Sequence, residues 1–525
     1  MNQAEAGPAQ KIAEIQPQPD VARDAGRGGL AVAFAKIYFI LVGFVQQIAL
    51  PRVLGLDGYG AFSSAQSIAS ITYNPITGTS IQGVSRAVAQ SKDAEQGAAL
   101  RRTLIVHATF AVVFWAAFFV SIPFVCEAIG APHVVSTLRI LSTIVLLYGL
   151  YTPLVGALNG KRRFLSQAGL DIGAATLRTM GLVGGAFVVV KLGGSRLEAT
   201  QGASWGFVIA MMVLLGLALF MVGIGQPGPG GPSVRQHLAF VAPLFLGQVL
   251  LNLLLQADLT LLRWFAGEAA VARGLPLTAA DPLIGAYRAT QLFSFLPYQL
   301  LLSVTFVLFP MLASAARDGD RVAVARFVET GVRLALVIAG VMTAVTSGLS
   351  GPLMRLVFGQ EAADYGTSAL ETLSLGFGVF AIFGILTTVL NSLKQERVST
   401  LITFVAVVLV GAVCLGTVRG GELSGQLLVL TARATSLAIV LSTAVAAFFV
   451  FRTTGGLVRP VVVMRVVLAT AVAIVVGRAL PDVHKFAVVP FALLVGVVYT
   501  GVLVLTRELS ATDVEMVRRV LRRGK

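Results

Sequence analysis

Apolar stretches of about twenty residues recur along almost the whole chain, and each is long enough to cross a bilayer as a helix. About fourteen can be marked, near residues 29–51, 60–84, 103–125, 134–158, 165–190, 203–224, 238–262, 284–310, 328–350, 367–391, 398–417, 425–451, 461–480 and 486–506. The second and eighth are the most polar. With 56% hydrophobic and 12% charged residues, the chain lacks the charged surface that a soluble protein of 525 residues needs. The short alternating segments of a membrane β-barrel are not seen. The expected fold class is therefore an all-α polytopic membrane protein.

The formal net charge is +15. On a soluble protein this would point to nucleic acid. Here the distribution decides otherwise: with a cytoplasmic N-terminus, about 24 Lys and Arg fall in cytoplasmic segments and about 9 on the opposite side. Both termini are then cytoplasmic. Basic loops such as Lys161–Arg162–Arg163 face anionic headgroups, so the bilayer is the expected partner and nucleic acid is not. No loop exceeds roughly 20 residues, which leaves no room for a soluble catalytic domain, and an enzyme is not expected. Cys126 and Cys414 suggest no disulfide framework, and His107, His133, His237 and His484 are too scattered for a metal site.

Residues 1–28 are polar and carry Pro8, Pro17 and Pro19, which reads as a disordered cytoplasmic tail. A Pro/Gly stretch at 225–237 reads as a cytoplasmic linker between a six-helix lobe at 29–224 and a second at 238–452. An internal repeat supports this division. At an offset of 232, "LRILSTIVLLYGLYTPLVGALN" from Leu138 lies over "LETLSLGFGVFAIFGILTTVLN" from Leu370, matching Ser142 with Ser374 and Asn159 with Asn391. "GYGAFSSAQSI" at the start of the second span echoes "IGAYRATQLF" at the start of the eighth. Parallel repeats of this kind place a substrate site at their interface near the midplane. Helices 13 and 14, within 453–506, follow as an addition. Residues 507–525 read as a cytoplasmic amphipathic tail.

Ten charged residues fall inside the spans: Lys36, Arg139, Asp171, Arg178, Asp258, Arg288, Arg333, Glu371, Arg433 and Arg465. A charge at a helix centre costs roughly 2.5–3.5 kcal/mol on insertion scales and needs a partner or water. The basic excess argues for a cavity that receives an anion. Arg178 sits mid-span, with Asp171 on the same helical face. It either pairs with that acid or another, or faces substrate. Arg333 and Arg465 lie near helix ends and are expected to snorkel, while the repeat mates Arg139 and Glu371 could pair. Ser63, Ser67, Ser70, Asn74 and Thr77 form a polar stripe in the second span; Tyr287, Gln291, Ser294 and Tyr298 form another in the eighth. Interhelical hydrogen bonding explains any single hydroxyl. Two stripes in equivalent helices favour a water-filled path.

Several segments resemble one family. "LPRVLGLDGYGAF" (residues 50–62), "LVGALNGKRRF" (154–164), "IGAYRATQLFSFLPYQLLLSVTFVLFPMLASAARD" (284–318) and "LMRLVFGQEAADYG" (353–366) resemble, in order and spacing, Wzx-type polysaccharide flippases of the multidrug/oligosaccharidyl-lipid/polysaccharide exporter superfamily. Asp258 falls where such proteins often carry an acid in helix 7. The acidic "DAF" pattern of the lipid II flippase branch is not found.

The resemblance implies two pseudo-symmetric six-helix lobes plus two C-terminal helices, with a central cationic cavity and alternating access. It also implies movement of polyprenyl-pyrophosphate-linked oligosaccharide from the cytoplasmic to the outer leaflet of a bacterial inner membrane, for lipopolysaccharide, exopolysaccharide or other cell-surface polysaccharide biosynthesis. A polymerase or glycosyltransferase would be a partner. Lys36, Arg178, Arg288 and Arg433 are the candidate pyrophosphate-binding residues, with Asn74 and Gln291 for the sugars. No cofactor is expected beyond Na+ or H+ as coupling ion, with Asp171 or Asp258 as its carrier. A GxxxxGK[ST] motif for ATP is absent. The alternatives are a cation-coupled drug or small-molecule antiporter of the same fold, and a non-transporting membrane scaffold.

Overall fold

A computed structural model describes residues 19–481 and 487–509. Among these residues there is no strand. An N-terminal bundle comprises α1 (Pro19–Ala89), α2 (Gln96–Ala128), α3 (Val135–Gly160), α4 (Phe164–Lys191) and α5 (Arg196–Val222). A C-terminal bundle comprises α6 (Val234–Ala272), α7 (Asp281–Ser294), α8 (Leu296–Arg317), α9 (Arg321–Gly348), α10 (Ser350–Phe358), α11 (Gln360–Ser392), α12 (Glu396–Thr417) and α13 (Gly425–Thr454). Two helices follow, α14 (Pro460–Ala479) and α15 (Val488–Leu505). Twelve described helices are long and apolar enough to cross a membrane, with α1 counted once. Dividing α1 at its kink and adding the interrupted rod α7–α8 recovers the fourteen expected spans.

The kink in α1 is at Gly55, whose φ of 73° lies in the left-handed region that glycine tolerates. It separates a first arm, residues 19–54, from a second, residues 56–89. Arg196 Nη1 donates to the Val53 carbonyl at 2.6 Å and so satisfies a group beside the break. The rod α7–α8 breaks at Phe295, two residues before Pro297, whose ring nitrogen cannot donate to the preceding turn. Helix α6 begins at a capping box in which Ser233 and Gln236 exchange bonds. The linker thus ends at Ser233, and His237 already belongs to the helix. Of the expected tail 1–28, residues 1–18 lie outside the described residues and the chain is helical from Pro19. The expected amphipathic tail lies outside them beyond residue 509.

Buried apolar side chains gather in two main clusters, one spanning Leu50 to Ala218 and the other Leu254 to Val458. The repeat mates α3 and α11 are the most enclosed of the membrane-length helices, each at the centre of its bundle. Within the N-terminal bundle, α4 and α5 touch through glycines. A Cβ on Gly181 would sit 2.2 Å from the Gly206 carbonyl oxygen, and one on Gly185 would sit 2.1 Å from that of Gly202. Helices α14 and α15 pack on α9 around Val466, Tyr499 and Leu503. An apolar groove of about 860 Å³ runs between α9 and α15. The Arg333 and Arg465 side chains, expected to snorkel, both bind the carboxylate of Glu508, just beyond the end of α15, at 2.7 and 3.2 Å.

The bundles meet along the second arm of α1. Here the repeat becomes physical. "GAFSSAQ" from Gly60 and "GAYRATQ" from Gly285 cross as a pseudo-twofold pair. A Cβ on Gly60 would lie 1.8 Å from the Asp281 carbonyl oxygen, and one on Gly285 would lie 2.4 Å from that of Leu56. Each glycine receives the carbonyl four residues ahead of the other. Nearby, Arg263 is buried and binds Asp281 Oδ1 at 2.7 Å, the Gly130 carbonyl at 2.6 Å and the Leu277 carbonyl at 2.9 Å. His133 reaches Asp281 Oδ2 at 3.0 Å. Toward the other end of the arm, His107 Nε2 and His237 Nε2 are 3.1 Å apart, and Ser80 Oγ lies 3.0 Å from His107 Nδ1. The molecule is thus closed at both ends of this seam.

Candidate anion site between the bundles

The opposed charges of α4 do not meet each other. Asp171 Oδ2 accepts from Lys36 Nζ on the first arm of α1 at 3.0 Å. Two turns further along, Arg178 Nε donates to Gln46 Oε1 at 3.2 Å, and Thr179 Oγ1 lies 3.4 Å from the same oxygen. The guanidinium stacks 5.0 Å from the Phe39 ring centroid and lies beside Tyr148. Tyr148 in turn stacks on Tyr73 of the second arm at 5.3 Å. The small and polar face of α4 is therefore shared: its glycines meet α5 and its charges meet α1.

Arg288 on α7 supplies the matching guanidinium from the other bundle. Its Nη1 donates to Gln291 Oε1 at 2.9 Å, and it lies beside the Tyr59 hydroxyl. Tyr59 donates to Gln47 Oε1 at 2.9 Å. Neighbouring amides, Gln46 and Gln47, thus connect the first arm to both guanidiniums. Both arginines are half-buried, and among the described residues neither pairs with a carboxylate; their acceptors are neutral. A positive charge held in this way at low dielectric retains strong attraction for an anion.

Asp258 on α6 is 1% exposed and fully engaged. Its carboxylate accepts from Tyr287 Oη at 3.0 Å, from Gln291 Nε2 at 3.0 Å to each oxygen, and from the Leu259 backbone N–H at 2.8 Å. Asn74 Nδ2 donates to Asn252 Oδ1 at 2.9 Å and so ties the second arm of α1 to α6.

Arg433 is not brought to this cluster. It is exposed on α13, on the same face as the exposed Leu437, Val440 and Leu441. The expected Arg139–Glu371 pair is not formed either. Arg139 lies over Phe119, and Glu371 pairs with Arg478 at 3.0 Å. In the polar stripe of the second arm Ser63, Ser67 and Ser70 are buried while Asn74 and Thr77 are partly exposed, and Ser67, Ser70 and Thr77 bond back to their own helix at 2.9, 2.8 and 3.0 Å. A hydroxyl that satisfies itself on the preceding turn can pass through a tight seam without water. Sequence reasoning missed Gln46, Gln47, Tyr59 and the Arg263–Asp281–His133 cluster. The pair Gln46–Gln47, two amides amid apolar residues in the first span, was the available signal for the first two.

Comparison with known proteins agrees with this architecture. The model of the polysaccharide biosynthesis protein family matches residues 25–316. No curated protein matches the chain by sequence. Among solved structures, the lipid II flippase MurJ in an inward closed conformation superposes with a TM-score of 0.72 at 12% identity, over 91% of this chain and 99% of that one. An inward-facing multidrug resistance MATE family transporter of the MOP superfamily gives 0.63 at 13% identity, over 79% and 95%. A MOP superfamily transporter from Pyrococcus furiosus, described as having a binding pocket of reverse polarity, gives 0.52 at 15% identity, over 85% and 97%. At these identities the likeness speaks for the fold. A multi-pass helical chain with this fold, matched over more than half its length by the family model, belongs to the polysaccharide biosynthesis protein family.

Proposed function

We propose that the protein is a flippase for polyprenyl-pyrophosphate-linked oligosaccharide, moving it from the cytoplasmic to the outer leaflet by alternating access. The observation that carries this reading is the pair of half-buried guanidiniums, Arg178 and Arg288, one from each bundle and both held by neutral acceptors. A pyrophosphate placed between them would take paired hydrogen bonds from two planar forks. It would also bridge the two halves that must rock against each other. The lipid stays in the bilayer, with the groove between α9 and α15 open to an apolar tail. In this reading the linker end of the seam, with His107 and His237, faces the cytoplasm of a bacterial inner membrane. The Gly60–Gly285 crossing faces outward. The donors that surround Asp258 are N–H and O–H groups, which suit a carrier of H+ better than a Na+ site.

Leaflet transfer in liposomes tests this. Wild-type protein reconstituted with a fluorescent polyprenyl-pyrophosphate oligosaccharide is expected to expose the label to an outside quencher. Arg178→Ala, folded to the same melting temperature, is expected to lose about tenfold or more in rate. Absence of transfer by wild type under imposed proton and sodium gradients would overturn the reading. An antiporter of the same fold would instead tolerate Arg178→Ala and extrude organic cations.

A further inference from the structure

Among the described residues, Gln291 is the one side chain that touches both the buried carboxylate of Asp258 and the guanidinium of Arg288. Its Nε2 donates to both Asp258 oxygens at 3.0 Å, while its Oε1 accepts from Arg288 Nη1 at 2.9 Å. This orientation is chemically forced. An ionised carboxylate only accepts and a guanidinium only donates, so the amide must turn its nitrogen to one and its oxygen to the other. The amide is therefore a reader of the charge on Asp258.

We propose that Gln291 is a positioning residue that couples the charge state of Asp258 to the availability of Arg288 for an anionic headgroup. When a proton from water binds a carboxylate oxygen of Asp258, that oxygen becomes an O–H donor and needs an acceptor. The Leu259 N–H can only donate, and the Tyr287 hydroxyl, which donates to this carboxyl group in the structure, could accept the new O–H only by giving up that bond. Rotation of the Gln291 amide by half a turn offers Oε1 to the new O–H. The same rotation places Nε2 against Arg288, donor against donor, and frees the guanidinium. Proton binding at Asp258 and anion binding at Arg288 thereby assist each other, with the reciprocity that linkage requires. The groups facing Asp258 are Tyr287 and Arg288 from α7 and Cys414 from α12, with Thr435 of α13 beside Tyr287 and Cys414. No second carboxylate or lysine is among them, so one proton is the expected stoichiometry.

The inference rests on the flippase reading for the identity of the anion, and the test separates the two. Full-length protein in nanodiscs is titrated with undecaprenyl diphosphate at several pH values, and the protonated carboxyl band of Asp258 is followed by infrared difference spectroscopy without ligand. In wild type, affinity is expected to rise as pH falls, by roughly tenfold or more across the transition. Asp258→Asn, whose amide can donate to Gln291 as a protonated acid would, is expected to bind at the low-pH level throughout. Gln291→Met and Gln291→Asn, the second too short to span both partners, are expected to flatten the dependence. They are also expected to shift the pH at which the Asp258 band appears. Unaltered pH dependence in both Gln291 variants, or in Asp258→Asn, overturns the coupling. No binding of the diphosphate lipid by wild type, with the infrared shift still present, overturns the headgroup reading and leaves the coupling intact.

Discussion

Adding one methyl group at Gly60 should open the Gly60–Gly285 end of the seam. In Gly60→Ala the new Cβ would stand 1.8 Å from the Asp281 carbonyl oxygen, 2.7 Å from its carbonyl carbon and 2.9 Å from the Gly285 nitrogen, whereas contacts under 3.0 Å essentially never occur. These are all backbone atoms of α7, so no rotamer change relieves them, and α1 and α7 must part by more than about an ångström. Overpacking of this kind costs about 1–3 kcal/mol, which shifts the balance between closed and open seam about five- to 150-fold. Ser63 lies one turn from Gly60 on the same face and is 3% exposed. The assay is maleimide labelling of Ser63→Cys, in a background with Cys126 and Cys414 replaced. Its rate should rise by that factor in Gly60→Ala. Gly285→Ala should act in the same direction, and the double variant should be less than additive because both changes wedge one contact. Gly43→Ala on the first arm is the control, since its Cβ would meet nothing closer than Arg178 Nη2 at 4.0 Å. Labelling at the wild-type rate in Gly60→Ala, with an unchanged melting temperature, would refute the closed glycine crossing.

Other outcomes follow from the same contacts. A Cβ on Gly83 would lie 2.8 Å from Val241 Cγ2, so Gly83→Cys with Val241→Cys should form a disulfide on oxidation. That bond should stop lipid transfer, and a reductant should restore it. Arg263→Met leaves Asp281 with only His133 and strips two carbonyls of their donor. A loss of about 3–5 kcal/mol is expected by thermal or denaturant unfolding, with part recovered in the double variant Arg263→Met/Asp281→Asn. Arg433→Leu, on the exposed side of α13, should leave the transfer rate within about twofold of wild type.

The number and order of the spans were legible because crossing a bilayer demands long apolar runs, and those are written in one dimension. The repeat was legible for a related reason. The crossing at Gly60 and Gly285 needs glycine at one position of each copy, so "GAFSSAQ" and "GAYRATQ" had to resemble each other. The cluster of Asp258, Tyr287, Arg288 and Gln291 was half legible. Helical spacing put the last three on one stretch of α7, and only the approach of α6 added the acid.

Partners were another matter. Helical period assigns a residue to a face but does not say which neighbour that face meets. Asp171 and Arg178 share a face, yet they stand two turns apart, and the first arm of α1 gives Lys36 to one and Gln46 to the other. Arg433 looked like a site residue by its depth in the span, and in the fold it stands on an exposed face of α13 beside Leu437, Val440 and Leu441. The serines of the second arm suggested a polar stripe, and in the fold they are buried, with Ser67 and Ser70 bonded to their own turns. Hydropathy and repetition are properties of a single run of residues, so the chain's series of membrane-length helices and its two-fold plan follow from composition along the sequence. Which charge meets which acceptor depends on how fourteen rods are arranged side by side, and that arrangement is set by close contacts between residues far apart in the chain.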